Sequence, residues 1–225
     1  MMSHPIIAID GPAGAGKSSV ARALAERLGF FLLDTGALYR SLALLARERG
    51  VGWDDGAALG RLAGQMQVEF GRGPDGGRVF LEGRDVSAEI RTPEVSLGAS
   101  HVSLHPEVRA ALLPLQRRLA AAGPCVVEGR DVGTVVLPQA PVKFFLTASE
   151  QVRARRRYQE LRARGVEADP GLILREQQER DRRDQTRSEA PLRPADDALI
   201  VDTSDLPLQG VVDRLERICR ERLGL

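Results

Sequence analysis

The chain has 225 residues, and its 32 Lys plus Arg stand against 31 Asp plus Glu, a formal net charge of +1. So even a balance excludes a uniform field that would hold a nucleic acid polymer or an anionic membrane, and any basic site must be local. Cys125 and Cys219 form neither a CxxC pair nor a ladder of spacings, which argues against a disulfide framework or thiolate zinc site and for a reducing cytoplasm.

In chain order, short apolar runs at residues 5–9, 30–33, 125–127, 142–146 and 198–201 alternate with longer segments of three- and four-residue periodicity. Runs this short, bounded by Gly, Pro or Asp, read as buried parallel strands, and the alternation predicts an open, doubly wound α/β domain. None approaches the roughly 18 apolar residues of a membrane span. Residues 51–122 break the pattern: Val68–Phe70 and Val79–Leu81, separated by a glycine-rich turn at 71–77, predict a small β-hairpin, with helices near 93–103 and 106–122. Residues 150–187 are helix-like, and the 35 positions from Arg153 to Arg187 carry 11 Arg against seven acids. Residues 207–223 read as a terminal amphipathic helix.

The strongest motif is Gly11, Pro12, Ala13, Gly14, Ala15, Gly16, Lys17 and Ser18, followed by Ser19, which matches G-x-x-x-x-G-K-[ST] between a predicted strand and a predicted helix. Glycines let successive N–H groups turn inward, the helix N-terminus adds positive potential, Lys17 reaches outer phosphates and Ser18 can meet Mg²⁺. A triphosphate with Mg²⁺ is the natural guest. The chain has no Asn, which disfavours a GTP switch or a protein kinase, and no strand ends in the Asp-Glu of motor ATPases. Transfer to an acceptor is therefore favoured over hydrolysis.

On the acceptor side, Thr35 follows the second strand and is placed to cap the next helix, setting Tyr39 and Arg40 one turn later. Glu128, Arg130 and Asp131 follow the strand at 125–127 and should emerge at the same sheet edge as the loop. Arg180, Asp184 and Arg187 are spaced to share one helix face, an arrangement that equally fits a helix laced by its own ion pairs. Ser100 and Arg109 taken alone are everyday features of a helix end and a surface. His4, His101 and His105 show no metal-ligand spacing.

The phosphate loop, Asp34-Thr-Gly-Ala-Leu-Tyr39-Arg40, Glu128-Gly-Arg130-Asp131-Val-Gly-Thr134 and Arg180-Asp-Arg-Arg-Asp184-Gln-Thr-Arg187 together closely resemble the bacterial cytidylate kinases, in the right order over nearly the whole chain. The resemblance implies a three-layer P-loop fold with a central parallel five-stranded sheet, an inserted NMP-binding lobe with a small antiparallel sheet, and a short helical lid. It implies one kinase domain, with a core near 1–34, 123–149 and 166–225, a lobe near 35–122 and a lid near 150–165. The implied activity is transfer of the ATP γ-phosphate to CMP or dCMP with Mg²⁺. Lys17, Arg130, Arg180 and Arg187 would be catalytic, and residues 11–19 with Arg157 would hold ATP. Thr35, Tyr39, Arg40, Ser100, Arg109, Arg130, Asp131, Arg180, Asp184 and Arg187 would hold CMP, with Asp131, Ser100 and Arg109 on the base. Ser18 and Glu128 would face the metal, and Arg153–Arg157 with Arg162 resemble the lid that closes on the transferring phosphate. The chain is expected to act as a cytoplasmic monomer, with no nucleic acid polymer or membrane as partner. Rival readings are a P-loop kinase for UMP, AMP, shikimate or dephospho-coenzyme A, a nucleotide sensor without turnover, and an RNA-binding protein using the arginines of 153–187. Replacing the loop lysine, Lys17→Ala, is expected to remove nearly all transfer while leaving the circular dichroism spectrum unchanged; retained turnover would contradict the assignment of the loop.

Overall fold

The computed structural model describes residues 4–71, 77–163 and 165–225. Strand β1 (Ile6–Asp10) is wholly buried and runs into the glycine loop, which opens α1 (Lys17–Leu28). Then come β2 (Phe31–Asp34) and α2 (Thr35–Glu48). Helix α3 (Gly56–Gln65) follows, with β3 (Val68–Phe70), β4 (Val79–Leu81) and β5 (Arg84–Asp85). Next are α4 (Pro93–Val102), α5 (Pro106–Ala120), β6 (Cys125–Glu128), a π-helical turn at Val132–Val136 and β7 (Val142–Thr147). Helices α6 (Glu150–Ala163) and α7 (Pro170–Thr186), strand β8 (Leu199–Asp202) and helix α8 (Leu208–Leu223) complete the chain.

Five strands form the parallel sheet in the order β2-β6-β1-β7-β8. Alternation along β1 divides the core. Ile7 and Ile9 pack with Val20, Leu24, Val211 and Leu215 under α1 and α8, whereas Ile6 and Ala8 pack with Leu33, Val127, Val132 and Val136 on the opposite face. Each such buried aliphatic side chain contributes about 1.5–3 kcal/mol. Register matters for the site: Asp34 lies opposite Glu128, and Ile9 opposite Glu128, so the strand ends carry their acids to one edge.

The segment from α2 to α5 has its own apolar cluster, built on Leu38, Leu42, Leu59, Leu81, Ile90, Val108 and Leu112. A third, small cluster of Ala154, Leu161 and Ile173 joins α6 to α7. Among the described residues, no helix is long and apolar enough to cross a membrane.

Three details depart from the sequence expectation. Helix α3 was not anticipated, because Gly56, Gly60 and Gly64 lower its propensity. Gly60 nevertheless fits, since a Cβ there would stand 2.8 Å from Glu107 Cβ, so a small residue lets α3 approach α5. The small sheet has three strands, because Glu82 and Gly83, both at positive φ, make the two-residue turn that returns the chain as β5. Part of the anticipated turn at 71–77 lies outside the described residues. The arginine-rich stretch is two helices, the second started by the Asp169 cap on Leu172 N–H (2.6 Å) with Pro170 in its first turn.

Gly98 of α4 lies under the ring of Trp53, the only tryptophan, where a Cβ would come within 2.5 Å of Cζ2. Gly98→Ala is therefore expected to destabilise the α2–α5 cluster by about 1–3 kcal/mol through overpacking. Chemical unfolding followed by tryptophan fluorescence checks this, and unchanged stability would contradict the packing argument.

Candidate active site

The glycine loop can take its shape only with glycine at its bends. Gly11, Gly14 and Gly16 have φ of 143°, 77° and 88°, and a Cβ on Gly11 would overlap the Leu146 carbonyl oxygen. Helix α1 starts from Gly16 with no side-chain cap, which leaves its first N–H groups for an anion. Lys17 is buried and donates to the Pro12 carbonyl oxygen at 2.7 Å. Burial, then the charges of Arg130 and Arg180, push its ammonium well below the ordinary lysine value, against the pull of Glu128 and Asp10. A phosphate arriving here would relieve both costs. Ser18 Oγ donates to Glu128 Oε2 at 2.9 Å, while Ser19 is exposed. Burial, with Asp34 nearby, pushes Glu128 up to about 7.

Asp34, not Thr35, caps α2: its Oδ1 accepts from Ala37 N–H at 3.1 Å. Thr35 is instead buried inside the first turn and donates to the Glu128 carbonyl oxygen at 2.7 Å, tying β2 to β6. The other Asp34 oxygen holds Arg40 Nη2 at 2.6 Å. Burial pushes the Asp34 carboxyl up, but Arg40 and Arg91 together hold it below the usual range.

Asp131 and Asp184 each bridge two arginines. Arg109 Nη2 hydrogen-bonds Asp131 Oδ2, and Arg187 Nη2 lies 3.6 Å from Asp131 Oδ1. Arg130 Nε donates to Asp184 Oδ2 at 3.0 Å, with Arg187 Nη1 4.0 Å from Asp184 Oδ1. The Arg109 guanidinium also sits 5.9 Å from the centre of the Tyr39 ring. Arg180 is pushed down to about 10 by burial and by the charge of Arg130. Arg187 does not continue the helical face; α7 ends at Thr186, and the extended backbone of Arg187 swings its side chain back to both carboxylates. Buried Arg40 Nε, Arg180 Nε, Arg187 Nη2 and Ser100 Oγ have no hydrogen-bond partner. Two guanidinium nitrogens without a hydrogen bond, on Arg40 and Arg180, and a third on Arg187 held only by its 3.6 Å ion pair, are a demand for an anion.

Not every anticipated residue joins this group. Arg157 pairs with Glu160 at 2.9 Å on a partly exposed face, although its charge still reaches Arg180, and the Arg162 guanidinium sits 5.9 Å from the centre of the Tyr158 ring. Buried Arg153 and half-buried Arg156 turn inward, where they bond the Ala13 and Gly14 carbonyl oxygens of the glycine loop. Within the 153–157 stretch, i, i+3 spacing turns these two arginines toward the loop backbone.

Asp10 went unrecognised by sequence reasoning. It ends β1 buried, and its two carboxylate oxygens accept Val132 N–H (2.8 Å) and Gly133 N–H (2.7 Å). The acid that interrupts the first apolar run was the available signal. This clamp hangs the Arg130–Asp131 turn from the strand that leads into the phosphate loop.

An edge so arranged suits the movement of a phosphoryl group between two anions, and the class it defines is the P-loop phosphotransferases. The profile of the family described as Cytidylate kinase matches residues 7–221. A cytidylate kinase of Pelotomaculum thermopropionicum is 53% identical over 213 residues, covering 94% of each chain. One from Pseudomonas aeruginosa is 50% identical over 222 residues, covering 98% of this chain and 96% of that one. A solved structure of an uncharacterized protein from Eubacterium ventriosum shares the fold, with TM-score 0.52 and 15% identity over 97% of this chain and 100% of that one. The chain belongs to the cytidylate kinase family and is a phosphotransferase.

Asp10→Ala strips two buried N–H groups of their acceptor, at about 1–3 kcal/mol each. Removing the carboxylate also relieves its burial, which pushes Asp10 up to about 6, so the global loss is partly offset. The expected signature is local: amide hydrogen exchange at Val132 and Gly133 accelerates more than in β1 and β6. Uniform acceleration, or none, would contradict the clamp.

Proposed function

We propose that this chain transfers the γ-phosphate of ATP to CMP or dCMP, giving CDP or dCDP and ADP, by direct in-line transfer with Mg²⁺. The observation that carries the reading is one sheet edge on which an uncapped helix start with Lys17 faces arginines with unmet buried donors. Two anions are accommodated there, one on each side.

The acceptor phosphate is already ionised near neutral pH, so no side-chain nucleophile is needed. Its oxygen forms the new bond to the γ-phosphorus as the bond to the bridging β,γ oxygen breaks, and the electron pair leaves with ADP. Residues 11–19, all but Pro12 through backbone N–H groups, hold the donor phosphates, Lys17 neutralises the outer ones, and Arg157 approaches from the lid. Arg40 and Arg130 hold the acceptor phosphate, and Arg180 and Arg187 meet charge spread over the transferring group. Asp184 accepts from the sugar. On the base, Asp131 faces the N4 amine of cytosine, Arg109 its acceptors, and Ser100 and Tyr39 line the pocket. Thr35 keeps the Glu128 strand end in place.

Ser18 and Glu128 fit Mg²⁺ by their chemistry: a hydroxyl and a carboxylate, both hard oxygen donors, 2.9 Å apart. Among the described residues, no group of three or more His, Cys, Asp or Glu side chains forms a self-contained metal site. The pair would complete a shell with nucleotide oxygens and water, and the bound ion would supply charge neutralisation on the phosphates.

The separate apolar cluster of α2–α5 supports an acceptor lobe (35–122) beside a core (1–34, 123–149, 166–225), and the lid (150–165), which packs Ala154 and Leu161 on Ile173 of the core, completes the division the family resemblance implies. Closure of lobe and lid excludes water that would otherwise hydrolyse ATP. The reading carries a place in pyrimidine nucleotide metabolism and a monomer working in the cytoplasm, with no nucleic acid polymer or membrane involved.

Asp131→Ala tests the base assignment. The ratio of kcat/KM for CMP over UMP is expected to fall by about 10- to 100-fold, the worth of one mismatched buried polar group. ATP affinity should change far less. An unchanged ratio would remove Asp131 from base recognition.

A further inference from the structure

The glycine loop is held from behind as well as shaped by its glycines. Three consecutive carbonyl oxygens are taken by side chains from outside the loop. Ala13 O accepts from Arg153 Nη1 at 3.2 Å and Gly14 O from Arg156 Nη1 at 3.4 Å, while Ala15 O lies 3.1 Å from Thr203 Oγ1 and shares its single hydrogen with Thr147 O at 3.0 Å. In a trans peptide the carbonyl and the following N–H point in opposite directions. Fixing these oxygens therefore fixes the N–H groups of Gly14, Ala15 and Gly16 to point away from Arg153, Arg156 and Thr203. Of these, Ala15 N–H has only a long 3.5 Å contact with Pro12 O.

Arg153 is itself held. It is 4% exposed, its Nε donates to Ala148 O at 3.0 Å, and its Nη1 also meets Asp181 Oδ2 of α7 at 2.6 Å. The fork spans β7's end, the loop and α7, a geometry that a lysine point charge cannot reproduce. Packing leaves no slack: a Cβ on Gly14 would stand 2.9 Å from Arg153 Cβ and 3.1 Å from Gln177 Nε2. Arg156 is anchored at its other end by Thr203, whose carbonyl oxygen accepts from Nη2 at 2.6 Å.

We propose that Arg153 and Asp181 are a positioning pair that presets the phosphate loop for its ligand, with Arg156 and Thr203 as a second arm. Asp181 neutralises and aims Arg153, and Arg153 aims the loop amides. Neither side chain needs to touch the nucleotide. The pair also joins the start of α6 and the middle of α7 to the loop, so the base of the lid and the phosphate site share one rigid support. The proposal rests on the ATP-site reading above for the identity of the ligand.

The test compares Arg153→Gln, Arg153→Lys, Asp181→Asn and the double variant Arg153→Gln/Asp181→Asn with the wild type. Two readouts are used: calorimetric titration with Mg²⁺-ADP in the absence of acceptor, and KM for ATP against KM for CMP. Arg153→Gln is expected to weaken ADP binding and raise the ATP KM about tenfold, the loss for one charge-assisted hydrogen bond. The CMP KM should stay within about twofold. Asp181→Asn, close in shape and expected to fold, should reproduce part of the effect, and Arg153→Lys should restore only part of it. The double variant should be no weaker than Arg153→Gln alone, because both residues act through one contact. Equal weakening toward ADP and CMP, a lowered Tm with unchanged ADP affinity, or additive losses in the double variant would overturn the pair. The ADP titration decides this whether or not CMP is turned over, whereas turnover of neither CMP nor dCMP by the wild type would overturn the acceptor reading alone.

Discussion

Like charges gathered in one buried crevice are the constraint on which this structure turns. Burial first, and then the mutual repulsion of Lys17, Arg130 and Arg180, push Lys17 and Arg180 below their ordinary values. Cations kept this close need partners, and the protein supplies carboxylates: Asp34 for Arg40, Asp131 for Arg109 and Arg187, Asp184 for Arg130 and Arg187. That supply is incomplete, since several buried guanidinium nitrogens remain without a hydrogen bond. A protein shaped only for stability would not leave such groups unmet. Polyanions entering the crevice would complete what the carboxylates begin.

The sheet makes this arrangement possible. Parallel strands bring Asp10, Asp34 and Glu128 to their C-terminal ends, the edge where open α/β sheets bind ligands. From there each acid is used differently. Asp10 accepts backbone N–H groups from the Arg130–Asp131 turn, Asp34 both caps a helix and steers Arg40, and Glu128 receives the Ser18 hydroxyl. The acceptor turn and the phosphate loop are thus fastened to neighbouring points of one rigid layer. The α2–α5 segment has its own apolar core, is tied to that layer through Phe70, Leu113, Leu119 and Ala120, and brings Tyr39, Arg40 and Arg109 from the other side.

Much of this was legible in the residues. Short apolar runs bounded by Gly, Pro or Asp give all five strands of the sheet, displaced by a residue or so where an acid such as Asp34 or Asp202 extends the pairing beyond the apolar run. The loop motif was legible because its glycines are required by positive φ. Helix α3 was hidden by its glycines, whose value is close packing against α5 rather than propensity. Division of labour among the arginines was hidden too. Arg153, Arg156 and Arg157 look alike in a run, and only the fold turns two of them onto the loop carbonyls and leaves Arg157 beside Glu160. Asp10 was visible as an interruption, but the backbone it serves lies more than a hundred residues away in the chain.

The central claim is that this charged edge takes a cytidine monophosphate as its acceptor. It is tested most directly by ADP release from Mg²⁺-ATP with CMP, dCMP, UMP, AMP, GMP or no acceptor, at one enzyme concentration. The account predicts rapid release with CMP and dCMP, and slow release with the other monophosphates and without acceptor. Release that is equally fast with no acceptor, or confined to another monophosphate, would contradict it.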